Sequence, residues 1–546
     1  MRNHFIMAMA LAMVLAAPAG AQTLDQVRQA VADYFAEGAA AQESHDDLKG
    51  WGNAALPFLR DIAGKPDEAG AFNRSAPVRP GDWAILCSIE KIDTPEAIEL
   101  LIEILDGKTA VSRSEVLCSL LAATYSHTAL LRENVRFEQL VFKVAHDDSG
   151  TWSSGSRAVA ASIMGRMGWE DGGPLLELML HDDDLSVRKN AAEALSTLIG
   201  RHVDVRKPEL SFPHATESAD LSLLAELPNS DICGRIDTWF DGKAAVILSQ
   251  GRQLTALAPP GTPARNAGFA MSIDDILSLP RKDGGMRWIL LAPADRPLML
   301  QDDLAICVDW ELSEVWRYVP RDQGIESQCR LYDATGCTGV AFGTAGDEGV
   351  VAFDTEGREL FRVPHARVFN ELASNPRVPD RWLHCSGQLL VFDNGGHLVR
   401  GPATVGQPSG GFLRATHAVL AQGRDGPKIL AAGSDIRSNP TIVCCGLDDL
   451  HEAWRACVPD AITGLAMLEP PTGEQRVVAT TEGDQLLVFD LDGGLHQQLL
   501  LPPDARDPAI RRYGFPVNPM SAGALPGGSY GLSIGVRANT VVYGMQ

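Results

Sequence analysis

The chain has 546 residues, enough for two or three domains. Its 70 acidic against 47 basic residues give a formal net charge of −23, which excludes nucleic acid and anionic membrane surfaces as expected partners. Ten cysteines are too sparse for a disulfide framework and form no C-x-x-C pair, which removes the common zinc-ribbon and thioredoxin-type signatures.

The first element is a leader. A basic head with Arg2 precedes an uncharged run over residues 5–17, then Pro18 and the small triplet Ala19-Gly20-Ala21. This pattern predicts a signal peptide, 1–21, cleaved after Ala21, and a periplasmic or secreted mature protein. The run is shorter than the roughly 20 apolar residues a spanning helix needs. No later segment qualifies either, so no membrane-spanning segment is expected.

From 22 to 205 the apolar residues follow a helical period. Thr94-Pro95 predicts a helix start: Thr as N-cap and Pro at the first helical position, with Gly107 as the stop. Similar segments run over 24–37, 46–63, 81–91, 112–125, 134–145, 156–167, 173–180 and 185–199. Two are self-similar: Arg157-Ala158-Val159-Ala160-Ala161 returns as Arg188-Lys189-Asn190-Ala191-Ala192, an offset of 31 residues. The paired alanines predict close helix approach. Asp184-Leu185-Ser186-Val187-Arg188 with Ala191-Ala192, and Gly52-Asn53-Ala54-Ala55-Leu56-Pro57, resemble HEAT-type repeats. The resemblance implies an α-solenoid used for protein binding or scaffolding. His146-Asp147-Asp148 and His181-Asp182-Asp183-Asp184 contain metal-ligand types, but they read better as turns with capping aspartates. No metal site is expected.

Between 206 and 229, Pro208, Pro213 and Pro228 stand among Ser, Asp and Glu. This stretch is expected to be a linker. Beyond it, from 230 to 546, short apolar strands are cut by Gly, Asp and Pro. Three match: Val350-Val351-Ala352-Phe353-Asp354 with Gly357, Leu389-Leu390-Val391-Phe392-Asp393 with Gly396, and Leu486-Leu487-Val488-Phe489-Asp490 with Gly493. Asp bonds the turn backbone and Gly accepts its positive φ. Anchors at Ser249, Asp309, Asp354, Asp393, Gly446 and Asp490 give steps of 60, 45, 39, 53 and 44 residues, the period of propeller blades. The expected fold class is therefore α + β multidomain, with helical repeats followed by a β-propeller of six to eight blades, seven favoured. The strand-like tail suits a ring closed by pairing the two ends of the domain.

The segment from Ala352 to Phe361, with Asp309 and Trp316 and the 442–454 segment with Trp454 as partial echoes, resembles the repeat of PQQ-like (quinoprotein-type) propellers. The resemblance implies the fold and does not by itself imply the cofactor. Adjacent Cys444 and Cys445 are the one candidate cofactor contact, because a vicinal disulfide occurs at the quinone of some quinoprotein dehydrogenases. The alternative is a strand with one thiol inward and one outward. Asp490-Leu491-Asp492-Gly493 resembles the start of a calcium loop, but a hairpin turn is the better reading. Possible disulfides are Cys329 with Cys337, and Cys87 with Cys118. No catalytic residue and no cofactor is assigned. The expected function is an exported binding or scaffold protein with protein or cell-envelope partners. The alternatives are a PQQ-dependent oxidoreductase and a glycan-binding or glycan-cleaving propeller.

Overall fold

The computed structural model describes residues 23–545 apart from 34–38, 65–79, 108–112, 148–150, 216–219, 229–231, 251, 258–264, 274, 294–302, 322–323, 345–347, 365, 367–370, 387–388, 404–413, 436, 471–473, 502–519, 527–528 and 537–538. The leader, 1–21, and Asp148 lie outside the described residues, as does the side chain of Cys233. The chain divides into two compact units, Met1–Arg206 and Lys207–Gln546.

The first unit is helical. Thr94 caps Pro95–Leu105, its side chain accepting from the Ala97 amide at 3.3 Å. Gly107 takes φ 79 and donates to the Ile104 carbonyl at 2.9 Å, so this helix starts and stops where its residues dictate. The expected single segment over 46–63 is instead two helices, Ala39–Trp51 and Leu56–Gly64. A 3₁₀ turn over Gly52–Ala55 divides them, and Gly52 there takes φ 52. Helices Ser154–Met167 and Leu185–Ile199 touch closely: a Cβ on Gly165 would lie 2.5 Å from the Ala194 Cα. Their matching arginines behave alike. Arg157 donates to the Trp152 carbonyl and Arg188 to the Asp183 carbonyl, each five residues upstream. In the His181–Asp184 run, Asp182 pairs with Arg157 at 2.9 Å and Asp184 caps the following helix through the Ser186 amide at 2.8 Å. Asp147 likewise accepts from the Trp152 amide.

The second unit is a seven-bladed propeller; each blade has four antiparallel strands, and blade six carries His214–Ala215 as a fifth, parallel strand at its outer edge. Six blades are each built from four consecutive strands. Their inner strands are Ile232–Thr238, Asp275–Pro280, Ile325–Asp333, Glu371–Ser374, Arg414–Gly423 and Ile462–Leu468. The seventh joins Met520–Ala524, Tyr530–Val536 and Asn539–Met545 to Leu221–Pro228, which pairs antiparallel with Asn539–Met545 as the outer strand. The stretch expected to be a linker is thus part of the ring. Its prolines sit before and at the end of the strand, where a missing amide costs no ladder bond. Ser249 proves not to be equivalent to the other anchors. It lies on the second strand of blade one, Ala244–Gln250, which explains the long first step. The core is a series of apolar layers between neighbouring blades, because successive residues of each strand face opposite sides.

Candidate functional site

The blades interlock through the turns read from the sequence. Asp354 accepts from the Glu356 and Arg358 amides at 2.8 and 2.9 Å, Asp393 from Gly395 and His397, and Asp490 from Asp492 and Gly494. Gly357, Gly396 and Gly493 take φ 84, 75 and 85. An aromatic residue from the outer strand of the preceding blade covers each glycine. A Cβ on Gly357 would lie 2.5 Å from Trp316, one on Gly396 2.7 Å from Phe361, and one on Gly493 3.0 Å from Trp454. The indoles also donate across the joint, Trp316 to the Thr355 carbonyl at 3.3 Å and Trp454 to Leu491 at 2.8 Å. The hairpin reading of Asp490-Leu491-Asp492-Gly493 therefore describes its geometry. These carboxylate oxygens are occupied by backbone amides, and Asp490 also bonds His496 at 2.9 Å.

At each joint a third ring completes the packing, and it comes from a different place each time. Tyr318 fills it between blades two and three, its centroid 5.1 Å from Phe353. Trp382 fills it between blades three and four, stacked 4.5 Å from Phe392 and 5.8 Å from Phe361. Between blades five and six it is Phe212, ahead of the first blade in sequence, 5.1 Å from Phe489 and 6.3 Å from Trp454.

Blade two breaks the turn rule. Asp309 holds its turn as the others do, accepting from Glu311 and Ser313 at 2.9 and 3.0 Å. Yet Leu312 occupies the glycine position at φ 63, and the turn carries Trp310 at 69% exposure. A bulky residue in the left-handed region is a backbone outlier that the surrounding structure must impose. Val315 and Val319 follow on the same outer hairpin, also exposed.

A charged belt crosses the inner strands of blades one to three. Asp237 accepts from the Ser278 amide at 2.9 Å, from the Ser278 hydroxyl, and from Arg330 Nη2 at 2.8 Å. Arg330 Nε donates to the Ser278 carbonyl at 2.6 Å. Beside it, Asp275 accepts from Arg235 and from Gln328 Nε2 at 2.9 Å. Burial raises the Asp237 carboxyl, but Arg330, Arg235 and the Ser278 bonds outweigh it and hold it below the usual range. The belt ties three blades together with mutually satisfied charges, and sequence reasoning missed it. Only its register across three non-adjacent strands reveals it.

The thiols are free among the described residues. Cys444 and Cys445 lie on one strand, Pro440–Gly446, with Cys444 in the layer between blades five and six and Cys445 in that between four and five. They point apart, as the inward–outward alternative requires, and burial pushes both up to about 12. Cys329 pairs in register with Ala341 and Cys337 with Tyr332, and the two thiols enter different interblade layers. That register and facing keep them from bridging, contrary to the expected pair. Cys87 and Cys118 stand on the packed helices Pro80–Ile92 and Arg113–Ser126. Burial raises both thiols, and the Glu90 carboxylate is a further raising influence on each.

No family model matches the chain, and no curated protein matches it. Solved structures with a similar fold include BBS1N in complex with ARL6DN, at 13% identity and TM-score 0.44, over 60% of this chain and 98% of that one. Raptor from Chaetomium thermophilum matches at 12% identity and TM-score 0.41, over 95% of this chain and 52% of that one. BamB from Moraxella catarrhalis matches at 14% identity and TM-score 0.35, over 62% of this chain and 99% of that one. These are likenesses of fold alone.

Proposed function

We propose that the protein is an exported, non-enzymatic binding protein that presents rigid repeat-built surfaces to protein partners in the cell envelope. The observation that carries this reading is Trp310, largely exposed on a turn whose backbone is held against the preference of Leu312. Exposed tryptophans on preorganised backbone are the residues that dominate protein contacts, because little entropy remains to be lost on binding. The leader pattern supports export. The Asp, Gly and aromatic interlock supports assigning the blades to the quinoprotein type, and the twin hooks of Arg157 and Arg188 support HEAT-like repeats.

The residues at hand do not fit a quinone. A capping vicinal pair needs both sulfurs turned to one side, whereas Cys444 and Cys445 enter opposite layers. The decisive assay reconstitutes the mature protein with PQQ and calcium and follows dye reduction with alcohol and sugar donors. The binding reading expects no turnover above buffer. Turnover lost in a Cys444→Ser, Cys445→Ser double variant would replace it with an oxidoreductase.

A further inference from the structure

We propose that a cavity among the helix ends of the first unit binds a small zwitterion, a free amino acid or short peptide with an apolar body. Its carboxylate would meet Lys49 and Lys91, and its ammonium would meet Glu90. The ligand is a small molecule, so the proposal goes beyond the protein-binding reading and does not depend on it.

Three helices bring their last turns to the cavity: Ala39–Trp51, Pro80–Ile92 and Arg113–Ser126. Pro80–Ile92 packs against both of the others. The space measures about 450 Å³, within the range of small-ligand sites. Its apolar lining is Ile98, Ala122 and Ala123, and the two alanines leave open the room that longer side chains would fill.

Charges of both signs line the same space without neutralising one another. Lys49 and Lys91 stand in the last turns of their helices, where the helix dipole favours a cation. Among the described residues neither ammonium has an ion pair. Of the two carboxylates, Asp93 is already engaged: it accepts from the Ser126 hydroxyl at 3.2 Å and bonds His127 Nε2 at 2.7 Å. Its φ of 52 holds it at this tie between successive helices. Glu90 is half-buried and has no cation. Burial raises its carboxyl, the Ser119 hydroxyl beside it lowers it, and Asp93 raises it again, which leaves it above the usual range.

This arrangement selects the ligand's charge. A half-buried carboxylate without a cation is costly, and an incoming ammonium offsets that cost with a charge-assisted hydrogen bond. A simple cation would also meet two ammoniums, and a simple anion would meet Glu90 and the carbonyl ends of the helices. A molecule with both charges at separate ends satisfies the lysines and Glu90 together, and its apolar body covers Ile98 and the alanines.

The test is titration calorimetry on the full mature chain with four probes: free leucine, the dipeptide alanyl-leucine, N-acetyl-leucine and leucinamide. The two zwitterions should bind, and the two probes lacking one charge should bind about tenfold or more weakly. Tighter binding of the dipeptide would identify peptides as the source, and tighter binding of leucine the free amino acid. Lys91→Gln should weaken the zwitterions by a similar factor, and Glu90→Gln should abolish the preference for leucine over its N-acetyl form. Circular dichroism should be unchanged in both, and Lys49→Gln, at an exposed position, provides a third variant should either misfold. No binding of either zwitterion at about 10 mM would overturn the proposal. So would equal binding of the singly charged probes, or wild-type affinity in the folded variants.

Discussion

At the residue scale, the turn glycines and Leu312 form a natural experiment. Gly357 holds a left-handed φ and has Trp316 against the space a Cβ would fill. Gly357→Ala should cost about 1–3 kcal/mol and lower the melting temperature. Leu312→Gly runs the other way: it relieves the strain, so thermal melts should show stabilisation of about 1 kcal/mol. A loss on that substitution would mean the Leu312 side chain contributes packing that outweighs its backbone. Asp237 gives a pH dependence with a definite sign. Its folded carboxyl is held low, so its stabilisation is present above its unfolded value, about 4, and is lost as pH falls through the folded value. Asp237→Asn should destabilise by about 3 kcal/mol at neutral pH, because it leaves Arg330 without its anion. The gap to the wild type should close in melts below about pH 4. A gap independent of pH would remove the charge from the explanation.

At the element scale, segment 211–215 and the outer strand Leu221–Pro228 belong to one run of chain that closes the ring. Gln497 mimics a strand partner, accepting from the Leu221 amide at 2.8 Å and donating to its carbonyl at 3.0 Å. Arg476 fixes the entry by pairing with Asp220 at 2.7 Å. Phe212→Ala should therefore loosen this run first, and amide exchange should rise in 211–228 before it rises in the central blades. Uniform exchange across the propeller would show that the ring opens only as a whole. The cysteine pairs show where spacing misleads. Cys329 and Cys337 flank a hairpin, which invites a bridge, but the register sends the two thiols into different layers. Non-reducing peptide maps should show them unlinked to one another; a bridge between them would contradict the register itself.

At the scale of the whole molecule, the periods carried most of the information. Helix starts such as Thr94 and turns such as Asp354 with Gly357 are local chemistry, so their sequence reading matches the structure residue by residue. The closing strand could not be read that way. Leu221–Pro228 pairs with residues more than three hundred positions later, and its prolines resemble those of a linker. Two strands of the seventh blade, over 530–536 and 540–543, are legible in the tail, whereas its inner strand, Met520–Ala524, shows no apolar alternation and its outer strand lies in the stretch that reads as a linker. The candidate surface was half legible. Asp309 stood out as a turn anchor, but the exposure of Trp310 depends on what the neighbouring blade leaves uncovered, which no local pattern records. The charged belt was hidden for the same reason: its members become neighbours only once three blades stand side by side.

Photo-crosslinking in the native host tests the binding claim most directly. A benzophenone amino acid would replace Trp310 on the rim of blade two in one strain and Gln253, exposed on blade one, in another. A discrete protein adduct is expected on irradiation from position 310 and none from position 253. No adduct at 310, or the same adducts from both positions, would contradict it.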